Sequence, residues 1–127
     1  FVDAPHALDG TFGIPGTRAR LAGQITGTEG YVEAIASGLL AALNTYVDLT
    51  GADHVALPAT GALGSLVAYA TDPATKDYQP MHVNYGIVPP IELAGRVSKT
   101  QKREALAARA AMDLDAYLAT RPELFSL

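Results

Sequence analysis

The chain has 127 residues, of which 49% are hydrophobic and 17% charged, and its formal net charge is −4 at pH 7. This length suits one domain with a modest core, and the acidic balance argues against a free-standing nucleic-acid-binding domain. The sequence has no cysteine, which excludes a disulfide scaffold, a thiolate metal site and a thiol nucleophile within it. No His, Asp or Glu set has metal-ligand spacing, and no segment suggests a membrane span or signal peptide. We therefore expect no metal, no membrane association and a cytoplasmic location.

The first part of the chain is predicted to contain loops, a short strand and a glycine-rich turn. Phe1 to Thr17 is rich in Pro and Gly, which favours a loop with at most one short strand at its start. Arg20 to Ile25 is a short run typical of a buried strand. Gly23, Gly27 and Gly30 have the spacing G-x-x-x-G-x-x-G, which is neither a dinucleotide fingerprint nor a phosphate loop.

This glycine-rich loop ends where a helix is predicted to begin. Glycine lets the backbone approach a ligand closely, and the free N–H groups at a helix start favour an electron-rich ligand. By spacing alone, a plain strand–turn–helix connection is as well supported as a ligand site. Gln24 adds an amide and Tyr31 an aromatic face, which favours a flat ligand such as a flavin or a pterin. The ordinary alternatives are a strand cap for Gln24, a core position for Tyr31, and carboxylates that complement the helix dipole for Glu29 and Glu33.

The first long helix is predicted over Tyr31 to Leu49, with Gly51 as its stop. Few charges interrupt it, so it should be buried on most of its sides. Its predicted apolar stripe consists of Val32, Ile35, Leu39, Leu43 and Tyr46.

Two further helices are predicted, with an ordered loop between them. The second helix covers Gly61 to Ala70, with Thr60 as a candidate N-cap. Gln79 to Pro90 has too many prolines for a central strand and is predicted to form an ordered loop. The last helix covers about Lys99 to Thr120 and is closed by Pro122. The inward residues are predicted to be Leu63, Leu66 and Val67 in the second helix, and Leu106, Ala110, Leu114, Tyr117 and Leu118 in the last one.

Three segments together resemble one family of tRNA-modifying flavoproteins. The runs F-V-D-A-P at 1–5, G-Q-I-T-G-T-E-G-Y-V-E-A at 23–34 and Q-P-M-H-V-N-Y-G-I-V-P-P at 79–90 are similar to motifs of the folate- and FAD-dependent tRNA (uracil-5-)-methyltransferases, the TrmFO family. The related flavoproteins that help to install carboxymethylaminomethyl on wobble uridine usually show T-T-G-Y-E-E within the second run. His82 is a departure, because the family usually has asparagine at that position.

The resemblance implies an α/β fold class, in which this chain is a mainly helical C-terminal fragment with few short strands that completes a Rossmann-like FAD-binding domain. It divides the chain into a loop, strand and flavin loop at 1–30, a buried helix at 31–50, a short helix and active-site loop at 60–90, and a terminal helix at 98–121. No catalytic residue is expected here, because the family's nucleophilic cysteine lies elsewhere. The candidate cofactor-binding residues are Gly23, Gln24, Gly27, Thr28, Glu29, Gly30 and Tyr31, and the candidate substrate-binding residues are Met81, His82 and Asn84.

The activity implied by the resemblance is methylation of C5 of a T-loop uridine in tRNA. Methylenetetrahydrofolate would donate the one-carbon unit, FAD would carry and reduce it, and NADH or NADPH would recharge the flavin. The expected partners of the full-length enzyme are tRNA and folate, and homo-oligomerisation is left open. Two alternatives remain, namely the related wobble-uridine flavoprotein and a non-catalytic helical interaction domain.

Four basic residues fall within eight positions near the start of the last helix. The ordinary explanation is a solvated helix surface, since runs of charge usually face water. The more specific alternative is a contact with tRNA phosphates. The residues are Arg96, Lys99, Lys102 and Arg103, with Arg18 and Arg20 as candidates for the same surface.

Overall fold

The computed structural model describes residues 1–126 and shows a mainly helical chain. Within these residues there is no β-strand, so the predicted helical character is confirmed and the predicted strands are wrong. Two isolated bridges occur instead, one antiparallel between Gly13 and Arg20 and one parallel between Thr28 and Met81. The helices are α1 (Ala4–Ala7), α2 (Tyr31–Thr50), α3 (Ala62–Thr71), α4 (Lys99–Ala119) and α5 (Pro122–Phe125), with short 3₁₀ helices at Gly23–Thr26 and Tyr85–Ile87.

The strand predicted over Arg20 to Ile25 fails because the backbone turns inside it. Gly23 has a φ of +77° and begins the first 3₁₀ helix, which ends at Gly27 in the left-handed region. The extended part is therefore too short to pair beyond the single bridge at Arg20. At the start of the chain, α1 takes the place of the predicted short strand, with a proline in its first turn.

Helix α2 begins where predicted and ends one residue later than predicted, at Thr50, with Gly51 as its C-cap at a φ of +73°. However, its buried face is not the predicted apolar stripe. Most of that stripe faces outward, so the prediction that this helix is buried on most sides is wrong for the described chain. The buried residues of α2 are Ser37, Leu40, Asn44 and Val47, whereas Val32, Ile35, Leu39 and Tyr46 are 76%, 74%, 60% and 54% exposed.

Two polar side chains explain why this face of α2 is buried. Asn44 donates from Nδ2 to the carbonyls of Leu40 (3.1 Å) and Val55 (3.2 Å), and its Oδ1 accepts from the N–H of Val55 (2.8 Å). The Ser37 hydroxyl accepts from the N–H of Gly23 at 2.7 Å. The segments that precede and follow α2 are thereby attached to the same face, and the buried polar groups are satisfied.

Helix α3 lies between two apolar clusters, and Val67 packs against both. Leu66 is fully buried and Leu63 is half-buried, as the predicted inward face requires. The predicted N-cap is wrong, because Gly61 occupies that position and the Thr60 hydroxyl instead donates to Asp113 of α4 at 2.6 Å. The first cluster contains Ala4, Leu8, Phe12, Ala70 and Tyr78, and the second contains Leu40, Val47 and Val55.

Helix α4 matches its predicted bounds to within one residue. It starts with a capping box, in which Ser98 accepts from the N–H of Gln101 and Gln101 accepts from the N–H of Ser98. Of its predicted inward residues, Leu106 is buried, while Leu114 is 39% exposed. Pro122 does not merely end this helix, since it begins α5.

By length and composition, α2 is also the one helix within residues 1–126 that could cross a membrane. Its most apolar 18-residue window has a mean hydropathy of 1.2, and 22% of that window is buried. The expectation that no segment has the length of a membrane span is therefore wrong. An interior helix of a soluble protein meets the same criterion, so these two properties do not distinguish the environments.

Candidate functional site

The glycine-rich loop and the 79–90 loop lie side by side. The N–H of Glu29 donates to the carbonyl of Met81 (3.0 Å), and the N–H of Met81 donates to the carbonyl of Gly27 (2.9 Å). These two bonds form the parallel bridge between Thr28 and Met81. The segments predicted separately as a cofactor loop and an active-site wall therefore form one continuous surface.

The interior of the glycine-rich loop is held by its own hydroxyl groups and by one tyrosine. Thr26 and Thr28 are fully buried, and each donates to the carbonyl of Gly23, at 2.7 and 3.0 Å. The Tyr78 hydroxyl donates to the carbonyl of Thr26 at 2.8 Å. Burial raises the pKa of this phenol to about 12, so it is a protonated donor at neutral pH. The side chain of Thr28, a candidate ligand contact, thus supports the loop from within.

The outer edge of the same loop is open at the start of α2. Gly30 is the N-cap residue, with a φ of +99°, and no side chain of residues 1–126 caps this helix. Within the described chain, the N–H groups of Gly30, Tyr31 and Val32 donate no hydrogen bond. Tyr31 is 89% exposed and Gln24 is exposed as well. Free donors, the positive end of a helix dipole and an aromatic side chain therefore meet at one edge, which suits a flat, electron-rich ligand.

The three candidate substrate residues differ in their surroundings. Met81 is half-buried and forms the bridge described above. The imidazole of His82 is exposed and has no hydrogen bond among the described residues. The Asn84 side chain donates to the carbonyl of His82 and accepts from the N–H of Gly86, both at 2.8 Å, and so caps the second 3₁₀ helix. Asn84 therefore shapes the loop.

Two charged side chains fix the ends of this loop. A carboxylate oxygen of Glu33, in the first turn of α2, accepts from the N–H of Val83 at 3.3 Å. The guanidinium of Arg109, in α4, donates to the carbonyls of Pro89 and Pro90, the latter at 3.0 Å. No sequence motif indicates the role of Arg109, because its acceptors are backbone carbonyls on a separate element.

Between its fixed ends, the loop forms a wall of two clefts against α4. The first has a volume of about 710 Å³ and is lined in part by Tyr85 and Arg103. The second has a volume of about 430 Å³, shares these two residues and adds Lys99 and Lys102. The Arg103 guanidinium carbon lies 5.4 Å from the centroid of the Tyr85 ring, within cation–π range. The sequence indicated the basic cluster but not its aromatic neighbour.

Arg20, a further candidate for a phosphate-binding surface, forms an ion pair with Asp48 instead. Its guanidinium lies 2.7 Å from Asp48 and donates to the Thr11 hydroxyl at 3.2 Å, and its side chain is only 7% exposed. Hydrogen bonds from Arg20, and then from His54, hold the pKa of the Asp48 carboxyl below its ordinary value. The suggestion that Arg20 adds to a tRNA-binding surface is therefore wrong.

Comparison with known proteins finds relatives that are named as tRNA methyltransferases. A family model described as glucose inhibited division protein A matches residues 3–53. Proteins named methylenetetrahydrofolate–tRNA-(uracil-5-)-methyltransferase TrmFO are 47% identical to it over 121 residues in Geobacter sulfurreducens and 41% identical over 119 residues in Streptococcus agalactiae. The matches cover 94% and 93% of this chain. The chain belongs to the TrmFO family.

Within the TrmFO family, this chain corresponds to a limited segment. It spans 27% of the length of the Geobacter and Streptococcus relatives, and 29% of the Bradyrhizobium diazoefficiens relative, to which it is 37% identical over 138 aligned residues. The family-model match at residues 3–53 includes α1, the glycine-rich loop and all of α2. The matched segment therefore contains the open edge at the start of α2.

Proposed function

We propose that this chain is part of a flavoprotein that methylates C5 of a T-loop uridine in tRNA, with methylenetetrahydrofolate as the one-carbon donor. The relatives are named for methylenetetrahydrofolate-dependent methylation of uracil in tRNA. One observation carries the proposal, namely that the 23–31 and 81–84 segments form a single surface at the uncapped start of α2. NADH or NADPH is the proposed reductant, and the cytoplasm is the proposed location.

The residues at the start of α2 fit FAD as the proposed cofactor. The free N–H groups of Gly30, Tyr31 and Val32 would meet the electron-rich pyrimidine edge of the isoalloxazine. A helix N-terminus stabilises a nearby negative charge by about 0.3–1 kcal/mol, and by up to about 2 kcal/mol in a partly buried site. Gln24 would add an amide at the ring edge and Tyr31 an aromatic face. Bound FAD would supply the redox chemistry and carry the one-carbon unit.

We also propose that the rest of the full-length protein completes a Rossmann-like FAD-binding domain and covers the outer face of α2. An exposed apolar face of this extent is unusual on a monomeric soluble protein and marks an interaction surface. The relatives are more than three times as long as the segment matched here, so they contain enough additional chain to cover it. The face consists of Tyr31, Val32, Ile35, Leu39, Tyr46 and Leu49, each between 54% and 89% exposed.

The proposal is tested by replacing Gly30 with valine in the full-length protein. A β-branched residue is strongly disfavoured at a φ of +99°, so the backbone at the start of α2 would be strained, and its Cβ would also displace the Glu33 carboxylate. We expect the purified variant to lose its flavin absorbance and its folate-dependent methylation of a tRNA transcript. Gly38→Ala is the matched control, since Gly38 lies in the same helix and a Cβ there meets nothing within 4 Å.

Three outcomes of this experiment would redirect the assignment. A Gly30→Val protein that is fully yellow and active would contradict the flavin-edge role of this loop. A wild-type protein without flavin would favour the helical interaction domain, and one that holds flavin but ignores folate would favour the wobble-uridine activity.

A further inference from the structure

We propose that Tyr85 and the basic start of α4 form the surface that holds a single-stranded part of the tRNA, with one unstacked base against Tyr85 and its phosphates against the lysines. This inference rests on the proposed function and names the residues that would position its macromolecular substrate. It does not concern the flavin edge, which lies at the start of α2.

The first observation is that the cations share one concave surface. Lys99, Lys102 and Arg103 stand at positions i, i+3 and i+4 of α4, which places them on one side of the helix. All three line the cleft of about 430 Å³. The positive end of the α4 dipole lies at the same place, because the helix begins at Lys99.

The second observation is that these cations have no carboxylate partner within residues 1–126. The ion pairs of the described chain are made by His6, Arg20, His54 and Arg121. The segment from Arg96 to Arg103 contains no Asp or Glu. In a chain with a net charge of −4, an unpaired local concentration of positive charge attracts an anionic partner.

The third observation is the aromatic ring beside the cations. Tyr85 is 52% exposed and lines both clefts, while Arg103 covers part of its ring at 5.4 Å. A basic groove with an accessible aromatic ring is how proteins bind single-stranded nucleic acid, since phosphates meet the cations and a base stacks on the ring. Unpaired cations alone would suit any small anion, but the ring and the larger cleft favour a nucleotide chain.

The fourth observation is that the ring is held in place and connected to the proposed flavin edge. Asn84 caps the short helix that begins at Tyr85, and Arg109 fixes the far end of the loop. The near end is attached through Val83 to Glu33, in the first turn of α2. RNA held at Tyr85 would therefore be positioned relative to the flavin edge, because the loop that carries Tyr85 is hydrogen-bonded to the first turn of α2.

The lysines are tested by the salt dependence of tRNA binding in the full-length protein. The probe is a fluorescein-labelled unmodified tRNA transcript, with binding followed by anisotropy over a range of salt concentrations. Removing two lysine–phosphate contacts in Lys99→Gln/Lys102→Gln should reduce the slope of log K against log salt by roughly 1.4–1.8. Lys76→Gln, an exposed lysine outside both clefts, is the matched control and should leave the slope unchanged.

Tyr85 is tested by removing its ring while keeping an apolar side chain at the position. Tyr85→Leu should weaken tRNA binding roughly 5- to 100-fold, the usual loss for one base–aromatic stack, and Tyr85→Phe should restore it to within about 2-fold. The loss should be nearly independent of salt, unlike that of the lysine variant. A merely structural role for the ring would lower the melting temperature of Tyr85→Leu without this salt-independent loss of affinity.

The inference is overturned if the lysine variant keeps the wild-type affinity and salt slope. It is also overturned if that variant binds tRNA normally and methylenetetrahydrofolate more weakly, because the cleft would then receive the folate carboxylates. Failure of the proposed function would appear elsewhere, as wild-type protein without flavin absorbance and without methylation. Because the binding experiment needs neither flavin nor catalysis, the two failures are distinguishable.

Discussion

The phenol ring of Tyr78 occupies the space that a Cβ atom on Gly27 would need. Gly27 also has a φ of +80°, a conformation that glycine adopts without strain. The same tyrosine donates to the carbonyl of Thr26 at 2.8 Å and immediately precedes the 79–90 loop. One ring thus holds the turn of the glycine-rich loop and the beginning of its neighbour.

Gly27→Ala should therefore destabilise the protein by about 2–5 kcal/mol, because the left-handed backbone costs about 1–2 kcal/mol and overpacking against Tyr78 about 1–3 kcal/mol. Gly51→Ala is the matched control, since Gly51 has a φ of +73° but a Cβ there meets nothing within 4 Å. Gly51→Ala should therefore lose only the stability that corresponds to the left-handed backbone, about 1–2 kcal/mol. Urea unfolding followed by circular dichroism measures both, and equal losses would show that the contact with Tyr78 costs nothing.

Asn44→Ala should be among the most destabilising substitutions on α2. It removes three hydrogen bonds and leaves the N–H and carbonyl of Val55 without their side-chain partner in a buried position. We expect a loss of about 2–6 kcal/mol in the free energy of unfolding, since each of these two unsatisfied buried groups costs about 1–3 kcal/mol. Thr50→Ala, at an exposed position of the same helix, should change it by less than about 0.5 kcal/mol. Similar losses in the two variants would contradict the role given to Asn44.

The ends of the helices could be predicted from the sequence because the signals for them are local. Gly51 ends α2 and the prolines of the 79–90 segment prevent regular structure, both by backbone properties of single residues. The buried face of α2 could not be predicted in this way. Ser37 and Asn44 are buried because their partners, Gly23 and Val55, come from the flanking loops, and hydrophobic periodicity does not register such bonds.

The same distinction applies to the candidate site, where local motifs could be predicted but contacts between separate elements could not. The motif segments could be identified by resemblance. Their contact through Met81 could not be predicted, because it depends on two backbone hydrogen bonds, which do not require particular side chains. The same is true of Arg109, whose acceptors are the carbonyls of prolines on another element. Conversely, the sequence suggested a ligand contact for Thr28, whose hydroxyl is used internally.

Acid should weaken the contact between Arg20 and Asp48. The pKa of the Asp48 carboxyl is lowered from 3.8, mainly by the Arg20 hydrogen bond. A carboxyl with a depressed pKa in the folded state stabilises the protein above its unfolded-state pKa, and this contribution is lost as the pH falls through the folded-state value. Asp48→Asn should therefore lower the melting temperature at pH 7, and its difference from wild type should shrink below about pH 4.

Thermal melts between pH 3 and 7 test this expectation, with Asp53→Asn as the control. Asp53 is exposed and its side chain forms no ion pair within residues 1–126. Its substitution should leave the pH dependence unchanged. A difference between Asp48→Asn and wild type that stays constant down to pH 3 would contradict the assignment of this ion pair.

The exposed face of α2 should behave in opposite ways in this chain alone and in the full-length protein. Produced alone, the chain should bind an apolar dye and self-associate, because Ile35 and Leu39 are 74% and 60% exposed. Ile35→Glu/Leu39→Glu should reduce both properties in sedimentation and fluorescence measurements while keeping the helical circular dichroism. Leu40→Glu, one residue further along but 6% exposed, should instead unfold the chain, since it buries an unpaired charge.

In the full-length protein the same double substitution should lower the melting temperature and the flavin content, because the charges would then be buried under the rest of that protein. The effect of the double substitution on the full-length protein therefore shows what covers this face. If the double variant keeps the melting temperature and flavin content of the full-length protein but dissociates a dimer, the face contacts a second copy. If the double variant keeps both properties but no longer binds lipid vesicles that the wild type binds, the face contacts a bilayer. The length and hydropathy of α2 also permit this. Only a loss of stability together with flavin supports the completed FAD-binding domain, in which burial of this helix and retention of the cofactor depend on the same contact.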